Sequence, residues 1–129
     1  MIGLQHTSRL TVTEAVTAIT MGSGDMPVLA TPAMMALMEN AAMLAVADHL
    51  PEGCTTVGGH IDASHLKPTA IGETVTVTAT AVVTRVEGKK IEFKITAYCG
   101  DVLLGEGTHL RFVVDKEKFM SKLTRDKMR

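Results

Sequence analysis

Between Met26 and Ala47 the chain reads MPVLATPAMMALMENAAMLAVA, and its one charge is Glu39. At helical spacing its neighbours are Met35, Ala36, Ala42 and Met43, so no Lys or Arg on the same helix shares that charge. A carboxylate in such a setting takes a polar partner from elsewhere or shifts its pKa, which suits it to acid-base chemistry. A hydrogen bond to backbone or to Asn40 would be the structural alternative. Eight residues earlier stands Thr31-Pro32. Its hydroxyl reads as a helix N-cap, and equally as a reactive group at a helix start, where amides and dipole favour developing negative charge. A third group of interest is the string His60-x-Asp62-x-x-His65. On a strand, 60 and 62 face one way and 65 the other, so no metal site is expected without a break in the strand. His65, alone, reads as a polar residue at a strand end. His109 and Arg111 share a face of the last strand, as packing residues, edge charges or contacts to a ligand phosphate.

These groups need elements to hold them. Ser8 to Thr20 is rich in β-branched residues and predicts a strand, followed by the loop Met21-Gly-Ser-Gly-Asp25. Thr31 as N-cap, Pro32 at the first helical position and Pro51 beyond the end predict a helix of about five turns. Thr31 and Glu39 then lie roughly 12 Å apart along the axis and about 80° apart around it, so only a third group from another element could connect them. His65 is the best placed. Period-two patterning predicts strands over Cys54–His65, interrupted at Gly58-Gly59, then Glu73–Glu87, Lys90–Cys99 and Val102–Val114, with turns at Gly88 and at Gly100-Asp101. Asp115 caps a short charged helix, Lys116 to about Lys127. One apolar helix and five strands predict an α+β architecture, the long central helix packed on a curved antiparallel five-stranded sheet. The uncovered edges favour a homodimer or a dimer of dimers.

The 129 residues suit a single domain spanning the whole chain, and a net charge of −1 without a basic face argues against a nucleic-acid partner. Cys54 and Cys99 have no metal or redox spacing, which fits a reduced compartment. The N-terminal MIGLQHTSRLTVTEA lacks the basic and apolar regions of a signal peptide, and the Met26–Ala47 run is broken by Pro27, Thr31, Pro32, Glu39 and Asn40. A cytoplasmic protein with no membrane association is expected.

Three segments, Val28–Glu39, Thr56–His65 and Gly105–Arg111, resemble the fluoroacetyl-coenzyme A thioesterase family, a group of hotdog-fold proteins. The likeness runs from the first strand to Lys118-Phe119. Its most specific part is a Thr, a Glu eight residues on and a His twenty-six further, which fall on Thr31, Glu39 and His65, with a substrate-facing Gly at Gly58. The resemblance implies an acyl-CoA thioesterase in which Glu39 orients His65, and His65 serves as base for Thr31 or for a water. Gly58, Gly59, Asp25, Met34 and Met35 would line the substrate. Coenzyme A would be part of the substrate, with no separate cofactor. At Asp25 the fluoroacetate-specific member carries a gating Phe, so small-to-medium acyl groups are expected rather than fluoroacetyl selectivity. The alternatives are a hotdog enoyl-CoA hydratase using Asp62 and His65, and a non-catalytic acyl-CoA binding or sensing protein.

Overall fold

The computed structural model describes residues 1–72 and 76–127. Strand β1 (Gln5–Thr11) leads into a 3₁₀ turn at Glu14–Val16 and a one-turn helix α1 (Ala18–Met21). The strand expected over Ser8–Thr20 is therefore cut short at Thr11. Local polar chemistry overrides β-propensity here: Thr17 caps α1 through the amide of Thr20, and Gly22 ends it in the left-handed conformation at φ 73°. The long helix α2 (Thr31–Val46) follows, extended by a 3₁₀ turn at Ala47–His49 before Pro51. Then come β2 (Cys54–His65), β3 (Thr76–Glu87), β4 (Lys90–Cys99), β5 (Val102–Asp115) and the terminal helix α3 (Lys116–Lys127). The anticipated start of β3 at Glu73, Thr74 and Val75 lies outside the described residues. Asp115 caps α3 as its sequence suggests, accepting from the Lys118 amide at 3.0 Å.

All five strands form one antiparallel sheet in the order β1-β3-β4-β5-β2, with β1 and β2 as its edges. Helix α2 lies against one face. The core is the meeting of period-two residues from the sheet (Val77, Ala79, Ala81 and Val83 of β3; Ile91, Phe93, Ile95 and Ala97 of β4) with Met34, Leu37, Met38, Ala41, Ala42 and Val46 of the helix. Small residues let the layers approach closely. A Cβ added to Gly105 of β5 would come within 2.6 Å of Met34 Sδ, so the helix rests directly on that strand. The helix is also held at its rim, where Ser8 Oγ of β1 donates to Asn40 Oδ1 at 2.7 Å. No helix among the described residues is long and apolar enough to cross a membrane.

Candidate active site

The start of α2 is fixed by backbone bonds on both sides. The Leu29 amide donates to Thr69 O at 2.8 Å and the Ala30 amide to Val16 O at 2.9 Å. Beyond β2, the Leu66 amide donates to Leu104 O at 2.6 Å, and Val28 bridges Ala70. The end of β2 is thereby folded back beside the helix start. Two residues 34 apart in sequence meet: Thr31 Oγ1 lies 2.7 Å from His65 Nδ1.

That contact corrects the capping expectation. The N-cap is Ala30, with extended backbone at φ −69° and ψ 138°, and no side chain caps the helix. Thr31 is the first helical residue. Its hydroxyl, released from the backbone, is free to donate to His65, which it does when the imidazole carries its proton on Nε2. His65 Nε2 is buried and has no hydrogen-bond partner among the described residues. Burial pushes this imidazole below the ordinary histidine value, while the Lys67 backbone works in the opposite direction. The neutral form is favoured, and that is the form a general base requires. Thr31 and His65 open onto a cleft of about 260 Å³, lined also by Val28, Leu29, Leu66 and Pro68.

Glu39 sits elsewhere. Its carboxylate meets β2 at Gly58 and β5 at Arg111, with Oε2 3.9 Å from Arg111 NH1. Gly58 makes room for it: an added Cβ would stand 3.0 Å from Glu39 Oε2, 3.5 Å from Arg111 NH1 and 3.5 Å from His109 Cε1. Asn40, the other proposed partner, turns away to Ser8. The side chain of Glu39 is 43% exposed and that of Arg111 8%, so the carboxylate is half-open to solvent, not buried and unpaired. Gly58 is seven residues from His65 on an extended strand, at most about 23 Å at 3.3 Å per residue and somewhat less across the bulge. Within one chain, therefore, Glu39 does not reach the imidazole.

Arg111 is clamped. Its Nε donates to Thr56 Oγ1 at 2.8 Å and its NH2 to Thr56 O at 2.9 Å. NH1 lies 3.2 Å from His109 Nε2, and His109 Nδ1 lies 2.6 Å from His60 O. The carbonyl can only accept, so Nδ1 carries the proton and Nε2 accepts from Arg111. Burial, with Arg111 nearby, holds His109 below the ordinary histidine value against the opposing His60 carbonyl and Glu39. Strand register could have revealed this cluster. His109 pairs with Phe93 and Arg111 with Ile91, and cross-strand partners point to the same face, so both polar residues face inward with the core.

The other anticipated site residues divide. Met35 lies half-buried on the helix line that joins Thr31 to Glu39, while Met34 is fully buried against Gly105 and belongs to the core, not to a substrate surface. Gly59 adjoins the bulge expected in β2, between Gly58 and His60, and its open face is filled by the Phe112 ring, which a Cβ would overlap. Asp25 is exposed in the loop after α1. Asp62 and His65 are three residues apart on an unbroken stretch of β2 and point to opposite faces, which disfavours an Asp-His hydratase pair. Among the described residues no group of three or more His, Cys, Asp and Glu is placed to hold a metal ion.

The profile described as fluoroacetyl-CoA-specific thioesterase matches residues 12–117. The fluoroacetyl-CoA thioesterase of Streptantibioticus cattleyicolor is 40% identical over 96 residues, 74% of this chain and 68% of the relative. Among solved structures, the fluoroacetyl-CoA thioesterase FlK superposes with a TM-score of 0.88 at 32% identity, covering 97% of this chain and 96% of that one. A threonine-to-serine variant of FlK in complex with acetyl-CoA gives 0.89 at 30% identity, covering 98% of each chain. A thioesterase superfamily member from Thermus thermophilus gives 0.89 at 25% identity, covering 99% of this chain and 93% of that one.

Proposed function

This chain belongs to the fluoroacetyl-CoA-specific thioesterase family and has its hotdog fold, and we propose that it hydrolyses a small-to-medium acyl-CoA to the acid and free CoA through Thr31, His65 and Glu39. The 2.7 Å contact between Thr31 Oγ1 and His65 Nδ1 carries the reading. His65 takes the proton of the Thr31 hydroxyl, or of a water held beside it, as the oxygen attacks the thioester carbonyl. The resulting imidazolium returns the proton to the departing CoA thiolate; where Thr31 is the attacking oxygen, His65 then takes a proton from a water that attacks the acyl-threonine ester, releasing the acid and restoring the Thr31 hydroxyl. The carboxylate of Glu39 stabilises the imidazolium from Nε2. Coenzyme A is a part of the substrate, and the chain's own groups suffice for these steps.

Glu39 completes such a site only from a second copy of the chain. Strand β2 is an open edge, with Gly58 and Glu39 toward one end and His65 at the other. Two copies pairing their β2 edges antiparallel about a dyad near Ile61-Asp62 would bring Gly58 of one beside the partner's His65. The unpartnered Nε2 would then face a carboxylate. We therefore assign a homodimer with two composite sites.

A panel of acetyl-, fluoroacetyl-, butyryl- and phenylacetyl-CoA, with an enoyl-CoA added, tests the function. Free thiol and enoyl absorbance are followed together, and binding is measured separately. Thiol release is the expected result, with butyryl-CoA at least as good as acetyl-CoA, since Asp25 offers no aromatic lid over the cleft. Loss of enoyl signal without thiol would favour a hydratase, and saturable binding with neither a sensor.

A further inference from the structure

Glu39 enters the proposed reaction through its charge and its location, yet nothing on α2 holds it. Its helical neighbours Met35, Ala36, Ala42 and Met43 are apolar, and among the described residues it accepts no hydrogen bond. Three groups from other elements face it: Gly58 of β2, and His109 and Arg111 of β5. Gly58 contributes space. His109 is a neutral ring, donating from Nδ1 to His60 O and accepting at Nε2 from Arg111. The one cation is Arg111, and it has lost its freedom to move, because three of its nitrogens are engaged by Thr56 and His109.

We propose that Arg111, locked by Thr56 and His109, is the positioning residue for Glu39, holding the carboxylate at the mouth of Gly58 without hydrogen-bonding it. The 3.9 Å separation suits that task. A bidentate Arg-carboxylate pair would occupy both oxygens and compete with an imidazolium. An ion pair without a hydrogen bond attracts the carboxylate toward the β2 edge and leaves its acceptor capacity available. The inference rests on the reading of Glu39 as catalytic, and deepens it by naming what aims the group.

The test is a double-mutant cycle, with kcat and KM for acetyl-CoA measured for Arg111→Met and Arg111→Lys, each in the wild-type and Glu39→Gln backgrounds. Arg111→Met should lower kcat by about 10-fold or more with KM within about twofold, and Arg111→Lys should recover part of the loss. In the Glu39→Gln background Arg111→Met should change kcat by less than about twofold, because there is no charge left to aim. Equal losses in both backgrounds would mean that Arg111 acts independently of Glu39, through the fold or on the substrate, and would overturn the proposal while sparing the catalytic reading of Glu39. Full activity of Glu39→Gln alone would overturn both. Should Arg111→Met fail to fold, Thr56→Val removes the Nε anchor with little change of shape; it should show a smaller kcat loss that likewise vanishes beside Glu39→Gln, and an undiminished loss there would refute the assignment.

Discussion

The two ends of the Thr31–Glu39 line on α2 are built differently. At the helix start, Thr31 and His65 form a contact between neutral groups on an open cleft, with one imidazole nitrogen buried and unpartnered. Two turns on, Glu39 lies in a charged cluster in which Arg111 is fixed by three hydrogen bonds. The first region is fit to move a proton and lacks a stabilising charge; the second has the charge and nothing to protonate. Physical complementarity of this kind points to assembly of a site from two chains.

Thr31→Ala should produce the largest break, lowering thiol release by about 10³-fold or more. Its stability should nevertheless stay within about 0.5 kcal/mol of wild type, because Thr31 makes no capping bond. A loss of about 1 kcal/mol or more in a denaturant titration would mean that the bond to His65 holds the fold as well as the chemistry. Glu39→Gln should follow at about 10²-fold with the fold retained, checked by circular dichroism beside turnover.

Mixing those two inactive chains sharpens the comparison. A heterodimer of Thr31→Ala with Glu39→Gln contains one composite site with every group intact and one with both defects. Random exchange of subunits should then recover about a quarter of wild-type turnover, since half the dimers are mixed and each has one good site. Absence of recovery after demonstrated exchange would mean that each chain works alone, and light scattering that finds only monomer at micromolar concentration would remove the assembly altogether.

The smallest expected effect is on pH. Burial holds both His65 and His109 below the ordinary value of about 6.5. The unfolded chain thus binds more protons than the folded one between the lowered values and about 6.5, and stability should rise with pH across that window and fall as pH drops through it. Thermal melts from pH 7 downward test the sign. In the assembled dimer the partner's Glu39 would oppose that burial and raise His65, so the acidic limb of kcat/KM should move to lower pH in Glu39→Gln than in wild type, and identical limbs would contradict a carboxylate at Nε2.

Much of this was legible from residue order. Periodicity marked the faces of β3 and β4, Gly58-Gly59 marked the bulge, and Asp115 marked the start of α3, because each reflects a local backbone preference. Ser8–Thr20 misled because threonine serves strands and caps alike, and Thr17 chose the cap. Thr31-Pro32 misled in the reverse direction, reading as a cap where the tertiary fold gave the hydroxyl to His65. The Arg111 cluster was legible only in part: alternation puts His109 and Arg111 on one face, but that this face is the core side follows from the β4–β5 register, which pairs them with Phe93 and Ile91. Glu39 drew notice through its apolar neighbours on one helix, but its partner lay on a strand 72 residues later in the chain.

The bond from Ser8 to Asn40 has a consequence beyond local stability. Asn40 and Glu39 are successive residues, about 100° apart around α2. One is tethered to the β1 edge of the sheet and the other is drawn toward the β2 edge, so the two act as opposing stays on a shaft and set its angle of roll. If α2 rolled, Thr31 would swing away from His65 at the same time as Glu39 left Arg111, and both halves of the chemistry would fall out of alignment together. On the proposed reaction, an uncharged serine on the far edge strand would thus help to align the site, although it is remote from any reacting atom.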